Sequence, residues 1–169
     1  MSFKDHFSGH ASSYASFRPR YTPEIFEFVS FLPKRRSLAW DCATGNGQAA
    51  VDLAERFERV VATDASEEQI ALATPHPKVE YRLALAEDSG LESGSVDLLT
   101  VATAVHWFDF DRFYAEAERV LAPGGAIAVW AYDLARISPA LDRIIDRLAR
   151  GIVGSYWPPE RAKLIDFCA

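Results

Sequence analysis

Cysteine is scarce in this chain: two in 169 residues, Cys42 and Cys168. One lies in a glycine-rich turn and the other is the penultimate residue, a spacing that makes neither a disulfide framework nor a metal-ligand set. Cys42 reads as a small buried turn residue rather than a catalytic thiol. Long apolar runs are missing as well, and none reaches the roughly 20 residues of a membrane span. The opening Met1-Ser2-Phe3-Lys4-Asp5-His6 is polar and lacks the apolar core of a signal peptide. The default expectation is a cytoplasmic location. Basic residues are outnumbered, 18 Lys and Arg against 24 Asp and Glu, for a net charge of -6. That balance argues against a nucleic-acid groove and against a membrane-surface helix. There is no internal repeat and no low-complexity tract.

What is present suits one globular domain with a sizeable core: 49% hydrophobic residues and a mean hydropathy of -0.06. Its most informative stretch is Leu38-Ala39-Trp40-Asp41-Cys42-Ala43-Thr44-Gly45-Asn46-Gly47. An apolar run ends in a carboxylate and turns through small residues into a helix. The segment 59–64 repeats the theme, an apolar run ending in Asp64. Paired strand ends of this kind build a nucleoside site, because glycine lets the backbone approach a ligand and a helix start offers free N–H groups.

Around this stretch, patterning predicts alternating strands and helices. Thr22-Pro23-Glu24 opens a helix whose apolar stripe is Ile25, Phe26, Phe28, Val29 and Leu32. Strands are expected at 38–42, 59–63, 79–84, 96–102 and 126–132, the last after the turn Pro123-Gly124-Gly125. Helices are expected at 47–57, 66–73 (opened by a Ser66-to-Gln69 capping box), 111–121 and onward from Ser138-Pro139. The strand at 96–102 is nearly all apolar, as one covered on both faces should be. The order implies a doubly wound, mostly parallel α/β sheet with helices on both faces, a Rossmann-like fold.

Asp64 lies nineteen residues beyond Gly45, the right interval for a carboxylate accepting both ribose hydroxyls. The competing reading makes it a helix-capping acid before Ala65-Ser66. Asp41 would be costly to bury without a cation or donors. It either meets a ligand cation or caps N–H groups of its own loop. His106-Trp107-Phe108 follows the fourth strand at the mouth of such a sheet, where aromatic faces suit a cation. His106 is either a base or acceptor-steering group, or a packed histidine. Trp107 reads as a wall.

The motif Asp41-x-Ala43-x-Gly45-x-Gly47 resembles the first motif of class I S-adenosylmethionine-dependent methyltransferases, with Ala43 where glycine is more usual. Asp64, Ala86-Glu87-Asp88 and Leu121-Ala122-Pro123-Gly124-Gly125 resemble later motifs of that family in the right order. Tyr14-x-x-x-Arg18-Pro19, Ala104-Val105-His106-Trp107-Phe108-Asp109 and Tyr156-Trp157-Pro158-Pro159-Glu160-Arg161 resemble its methyltransferase type 11, trans-aconitate-methyltransferase-like subgroup. The resemblance implies S-adenosyl-L-methionine as cofactor and S-adenosyl-L-homocysteine as product, with no metal. It implies cofactor contacts from Asp41, Ala43, Gly45, Gly47, Asp64 and Ala65. It adds Ala86 and Glu87 on the adenine side and Thr103 near the methionine part. Tyr14 and Arg18, with Arg20 and Tyr21, would belong to a lid, and His106 and Trp107 would stand where methyl and acceptor meet.

The implied division is a lid at 1–21, a cofactor-binding core at 22–135 and the start of an acceptor-side region at 136–169. The implied reaction is direct displacement of the activated methyl by a small-molecule acceptor, a carboxylic acid being one candidate. Two alternatives stay open. Gly45-Asn46-Gly47-Gln48-Ala49-Ala50 also satisfies a dinucleotide pattern, which would make a nicotinamide-dependent oxidoreductase. A non-catalytic methyltransferase-like fragment that binds cofactor or a partner is the other. A complete domain of this class adds two strands after the fifth, and the residues following Tyr132 leave little room for them. The expectation is therefore a sheet lacking its last strands, with strand four or a neighbour as an open apolar edge that a homodimer could cover.

Overall fold

The computed structural model describes residues 21–132 and 134–160. Its strands are β1 (Leu38–Cys42), β2 (Arg59–Asp64), β3 (Val79–Leu83), β4 (Val96–Ala102) and β5 (Leu121–Trp130). Its helices are α1 (Pro23–Ser30), α2 (Gln48–Ala54), α3 (Glu67–Ala71), α4 (Phe110–Val120) and α5 (Pro139–Asp146). The strands form one sheet in the order β3-β2-β1-β4-β5, and every pairing is parallel. From β1 the chain winds outward through β2 to β3, then returns to the other side of β1 to add β4 and β5. That reversal opens a crevice at the carboxyl ends of β1 and β4, where α/β folds hold their ligands.

Alternating side chains feed two cores, as expected for a sheet covered on both faces. Trp40, Cys42, Val61, Leu99 and Val101 pack with Phe113, Ala117 and Val120 of α4. On the other face, Ala39, Val60, Ala62 and Leu98 pack with α1 and with Ala49, Ala50, Leu53 and Ala54 of α2. Burial also settles Cys42. Desolvation first, then the negative charge of Asp41, holds its thiol well above the ordinary range, so it stays protonated and inert.

Several local expectations need correction. In α1 only Phe26 and Val29 of the apolar stripe are buried; Phe28 is 65% exposed and Leu32 lies beyond the helix. Thr22 holds the capping position without a side-chain cap bond to a helix N–H. Ser66 caps α3 by accepting from the Gln69 N–H, but its own N–H is taken by Asp64 rather than by Gln69. The fifth strand starts at Leu121, not Ala126, and ends at Trp130. It pairs Leu121 with Val96, then Ala126 with Leu98, so residues 122–125 bulge out. Gly125 makes the bulge possible, because a Cβ there would sit 2.9 Å from the carbonyl oxygens of Ala122 and Val96.

β4 is paired on both sides, so among the described residues the edges are β3 and β5. β5 is mostly half-exposed, and α5 buries none of its side chains, leaving Ile144 65% exposed. Among the described residues, no helix is long and apolar enough to cross a membrane.

Candidate active site

β1 delivers Asp41 to the crevice, with 1% of its surface exposed. Its register neighbours are Ala62 of β2 and Thr100 of β4, one small and one hydroxylated. The Thr100 hydroxyl donates to one carboxylate oxygen at 2.9 Å and the Thr44 hydroxyl to the other at 2.5 Å. Asp41 is thus held by hydroxyls from two elements. Those two donors keep the buried carboxylate hydrogen-bonded.

The loop after β1 is strained in a regular way. Ala43, Gly45 and Gly47 all have left-handed backbones, with φ of 54°, 59° and 88°. For Ala43 this conformation costs about 1–2 kcal/mol, which explains why glycine would be the easier residue there. The second such non-glycine residue is Thr103, φ 60°, just past β4. The two outliers flank the crevice where β1 and β4 end, and strain of this kind clusters at functional sites. Thr103 is over-determined by its neighbours. Its N–H donates to the Trp130 carbonyl at 2.7 Å, and its hydroxyl pairs with the Tyr21 hydroxyl at 3.0 Å.

Gly47 has a steric reason of its own within the fold. A Cβ there would lie 2.2 Å from the Tyr81 hydroxyl oxygen. The missing side chain makes room for a tyrosine of β3. Burial, with the charge of Asp41 second, pushes the Tyr81 phenol up to about 12.

Asp64 ends β2 and bridges two loops. One carboxylate oxygen accepts the Gly45 N–H at 2.8 Å and the other the Ser66 N–H at 2.9 Å. It therefore fixes the glycine turn to the start of the next loop, at the strand end adjoining Asp41. Ala65, beside it, is half-buried. Ala86 is buried in the α4-side core, and Glu87 accepts the Asp109 N–H at 2.8 Å. That bond ties the loop after β3 to the start of α4. His106 and Trp107 form one 3-10 turn (Val105–Trp107) past Thr103, their rings 4.7 Å apart; His106 is buried and Trp107 half-buried. Tyr14, Arg18 and Arg20 lie outside the described residues.

Sequence reasoning missed Thr44, Thr100, Gln48 and Tyr81. The first two are adjacent to Asp41 only once the strand register is known, and Tyr81 meets Gly47 only through the sheet order. Gln48, with Tyr21, Asp41, Ala43, Thr44 and Ala102, lines a small cavity of about 10 Å³ beside Asp41. Among the described residues, no Lys or Arg lines it. The site is acidic: Asp41, Glu87 and Asp64 each act through charge to raise the Cys42 thiol. Among the described residues no cluster of His, Cys, Asp or Glu could hold a metal ion.

Residues 40–129 match the model of the methyltransferase domain. The chain belongs to that family. A protein of Dictyostelium discoideum named as a methyltransferase is 41% identical over 168 residues, covering 97% of this chain and 64% of its own length. A chain of known structure from Anaeromyxobacter dehalogenans, assigned as a type II methyltransferase, is 47% identical with a TM-score of 0.79. The match covers 88% of this chain and 63% of that one. The chain thus spans under two thirds of either relative. At 18% identity and a TM-score of 0.65, a Haemonchus contortus N-methyltransferase solved with S-adenosylhomocysteine shares the fold; 84% of this chain and 37% of that one are covered. The cofactor of this methyltransferase domain is S-adenosyl-L-methionine.

Proposed function

We propose that this domain binds S-adenosyl-L-methionine at the carboxyl ends of β1, β2 and β4 and transfers its methyl group to a small-molecule acceptor, with carboxylic acids the leading class. The observation that carries the reading is the acidity of the crevice. Asp41, Asp64 and Glu87 all act through charge on Cys42 beside it, and among the described residues the cavity next to Asp41 has no basic wall. A cofactor bearing a sulfonium and an ammonium complements that field. A dinucleotide pyrophosphate would be repelled by it, which disfavours the oxidoreductase alternative.

The bound cofactor supplies an electrophilic methyl with a good leaving group already in place, so the protein's part is alignment and exclusion of water. In this reading Asp64 gives up one or both loop N–H groups to accept the ribose hydroxyls. Glu87 and the backbone of Ala86 border the adenine. Asp41, Ala43, Gly45, Gly47, Ala65 and Thr103 border the ribose and methionine part, and Gly47 also seats Tyr81. His106 and Trp107 wall the mouth, where His106 accepts a proton from any acceptor that must lose one. Residues 1–21, with Tyr14 and Arg18, act as the lid over the 22–135 core, and 136–169 begin the acceptor side. A second copy of the chain would cover the β5 edge and the apolar face of α5, so the solution mass by light scattering should be that of a dimer.

The test is formation of S-adenosylhomocysteine from S-adenosylmethionine with panels of carboxylic acids, phenols and amines, comparing wild type with Asp64→Ala. Acceptor-dependent turnover by the wild type only, fastest with carboxylic acids, is expected. Tight cofactor binding without turnover on any panel would favour the non-catalytic alternative.

A further inference from the structure

Gln48 is the first residue of α2, and its Oε1 is buried with no hydrogen-bond partner. A buried acceptor left without a donor costs about 1–3 kcal/mol, so its persistence in a well-packed loop calls for an occupant. The residue lines the same small cavity as Asp41, Thr44 and Tyr21. At about 10 Å³ that cavity takes one group the size of a water molecule, which is also the size of a primary ammonium. Its walls include two side-chain carbonyl-type acceptors, the Asp41 carboxylate and the Gln48 amide oxygen. Of the hydroxyls nearby, Thr44 donates to Asp41, and Tyr21 is paired with Thr103.

A wall rich in acceptors fits a group that only donates. An ammonium has three donors and no acceptor, whereas a sulfonium has no N–H to give. We infer that Gln48 Oε1 accepts a hydrogen bond from the α-ammonium of the bound cofactor, making Gln48 a binding residue for its amino-acid end. This rests on the proposal that the crevice takes S-adenosylmethionine. The amide then adds a neutral acceptor beside Asp41, so the ammonium is held by direction as well as by charge. Binding removes the unmet acceptor, and the affinity gained depends on the ammonium being present.

The probes are S-adenosylhomocysteine, which carries the amino-acid end, and 5′-methylthioadenosine, which lacks it. Both are titrated calorimetrically at pH 8 against wild type, Gln48→Met and Gln48→Glu, with thermal melts to establish that each variant is folded. Gln48→Met should weaken S-adenosylhomocysteine about tenfold or more and leave methylthioadenosine within about twofold. Gln48→Glu keeps an acceptor of equal reach and cannot donate, so it should retain S-adenosylhomocysteine affinity. Three results would overturn the inference. One is equal affinity of wild type and Gln48→Met for S-adenosylhomocysteine, as expected if the cavity merely holds a water. Another is equal loss for both probes, which a general disturbance of the loop would give. The third is loss in Gln48→Glu as large as in Gln48→Met, which would make the amide N–H the working end. Failure of the wild type to bind either probe would instead strike at the cofactor reading beneath it.

Discussion

Replacing Gly47 by alanine builds a methyl group 2.2 Å from the Tyr81 hydroxyl oxygen and 2.8 Å from two of its ring carbons. The tyrosine is anchored, because its hydroxyl donates to the Thr74 carbonyl at 2.7 Å. Relieving the clash therefore breaks that bond or shifts the loop, an overpacking penalty of about 1–3 kcal/mol. The backbone adds its own share. At φ +88° an L residue pays about 1–2 kcal/mol relative to glycine. Together these predict a loss of roughly 2–5 kcal/mol, a fall in Tm of about 5–15 °C for a chain of this size. The assay is thermal unfolding of wild type, Gly47→Ala, Tyr81→Ala and the double variant. Without the tyrosine only the backbone share remains, so the alanine penalty should shrink by at least about 1 kcal/mol. An equal penalty in both backgrounds would refute the claim that Tyr81 occupies the space glycine leaves.

Other expectations follow from the same geometry. Ala43→Gly relieves the left-handed strain at φ 54° and should raise Tm by a few degrees, since the relief of about 1–2 kcal/mol exceeds the entropy glycine adds to the unfolded chain. Glu116 is buried on α4, where the Arg119 guanidinium first, and the Ser89 hydroxyl and N–H next, hold its carboxyl at about 2. Its folded pKa lies below the unfolded one, so its contribution is complete above about pH 4.5 and fades as pH falls toward 2. Acid unfolding of Glu116→Gln, followed by circular dichroism, should therefore be less steep than that of wild type across that window.

The fold was legible because its signals are local and repeated. The apolar run at 96–102, the two strands carrying Asp41 and Asp64 at their carboxyl ends, and the Phe113, Ala117 and Val120 stripe each declare themselves within a few residues. The start of β5 was not, because Pro123, Gly124 and Gly125 carry turn chemistry while the backbone on either side stays paired through a bulge. Burial on α1 also misread: Phe28 is as apolar as Phe26, and only the helix's seat on the sheet decides which faces in. In the site, the carboxylates were found by position at strand ends. Their partners were not, since Thr100, Tyr81 and Gln48 reach Asp41 and Gly47 through strand register and side-chain direction.

The central claim is that the acidic crevice at the ends of β1, β2 and β4 is a methyl-donor site. Calorimetric titration of the chain with S-adenosylhomocysteine and with NAD tests it most directly. The account predicts saturable one-to-one binding of S-adenosylhomocysteine, weakened about tenfold or more by Asp64→Ala, and no binding of NAD. Binding of NAD without S-adenosylhomocysteine, or an affinity for S-adenosylhomocysteine untouched by loss of the Asp64 carboxylate, would contradict it.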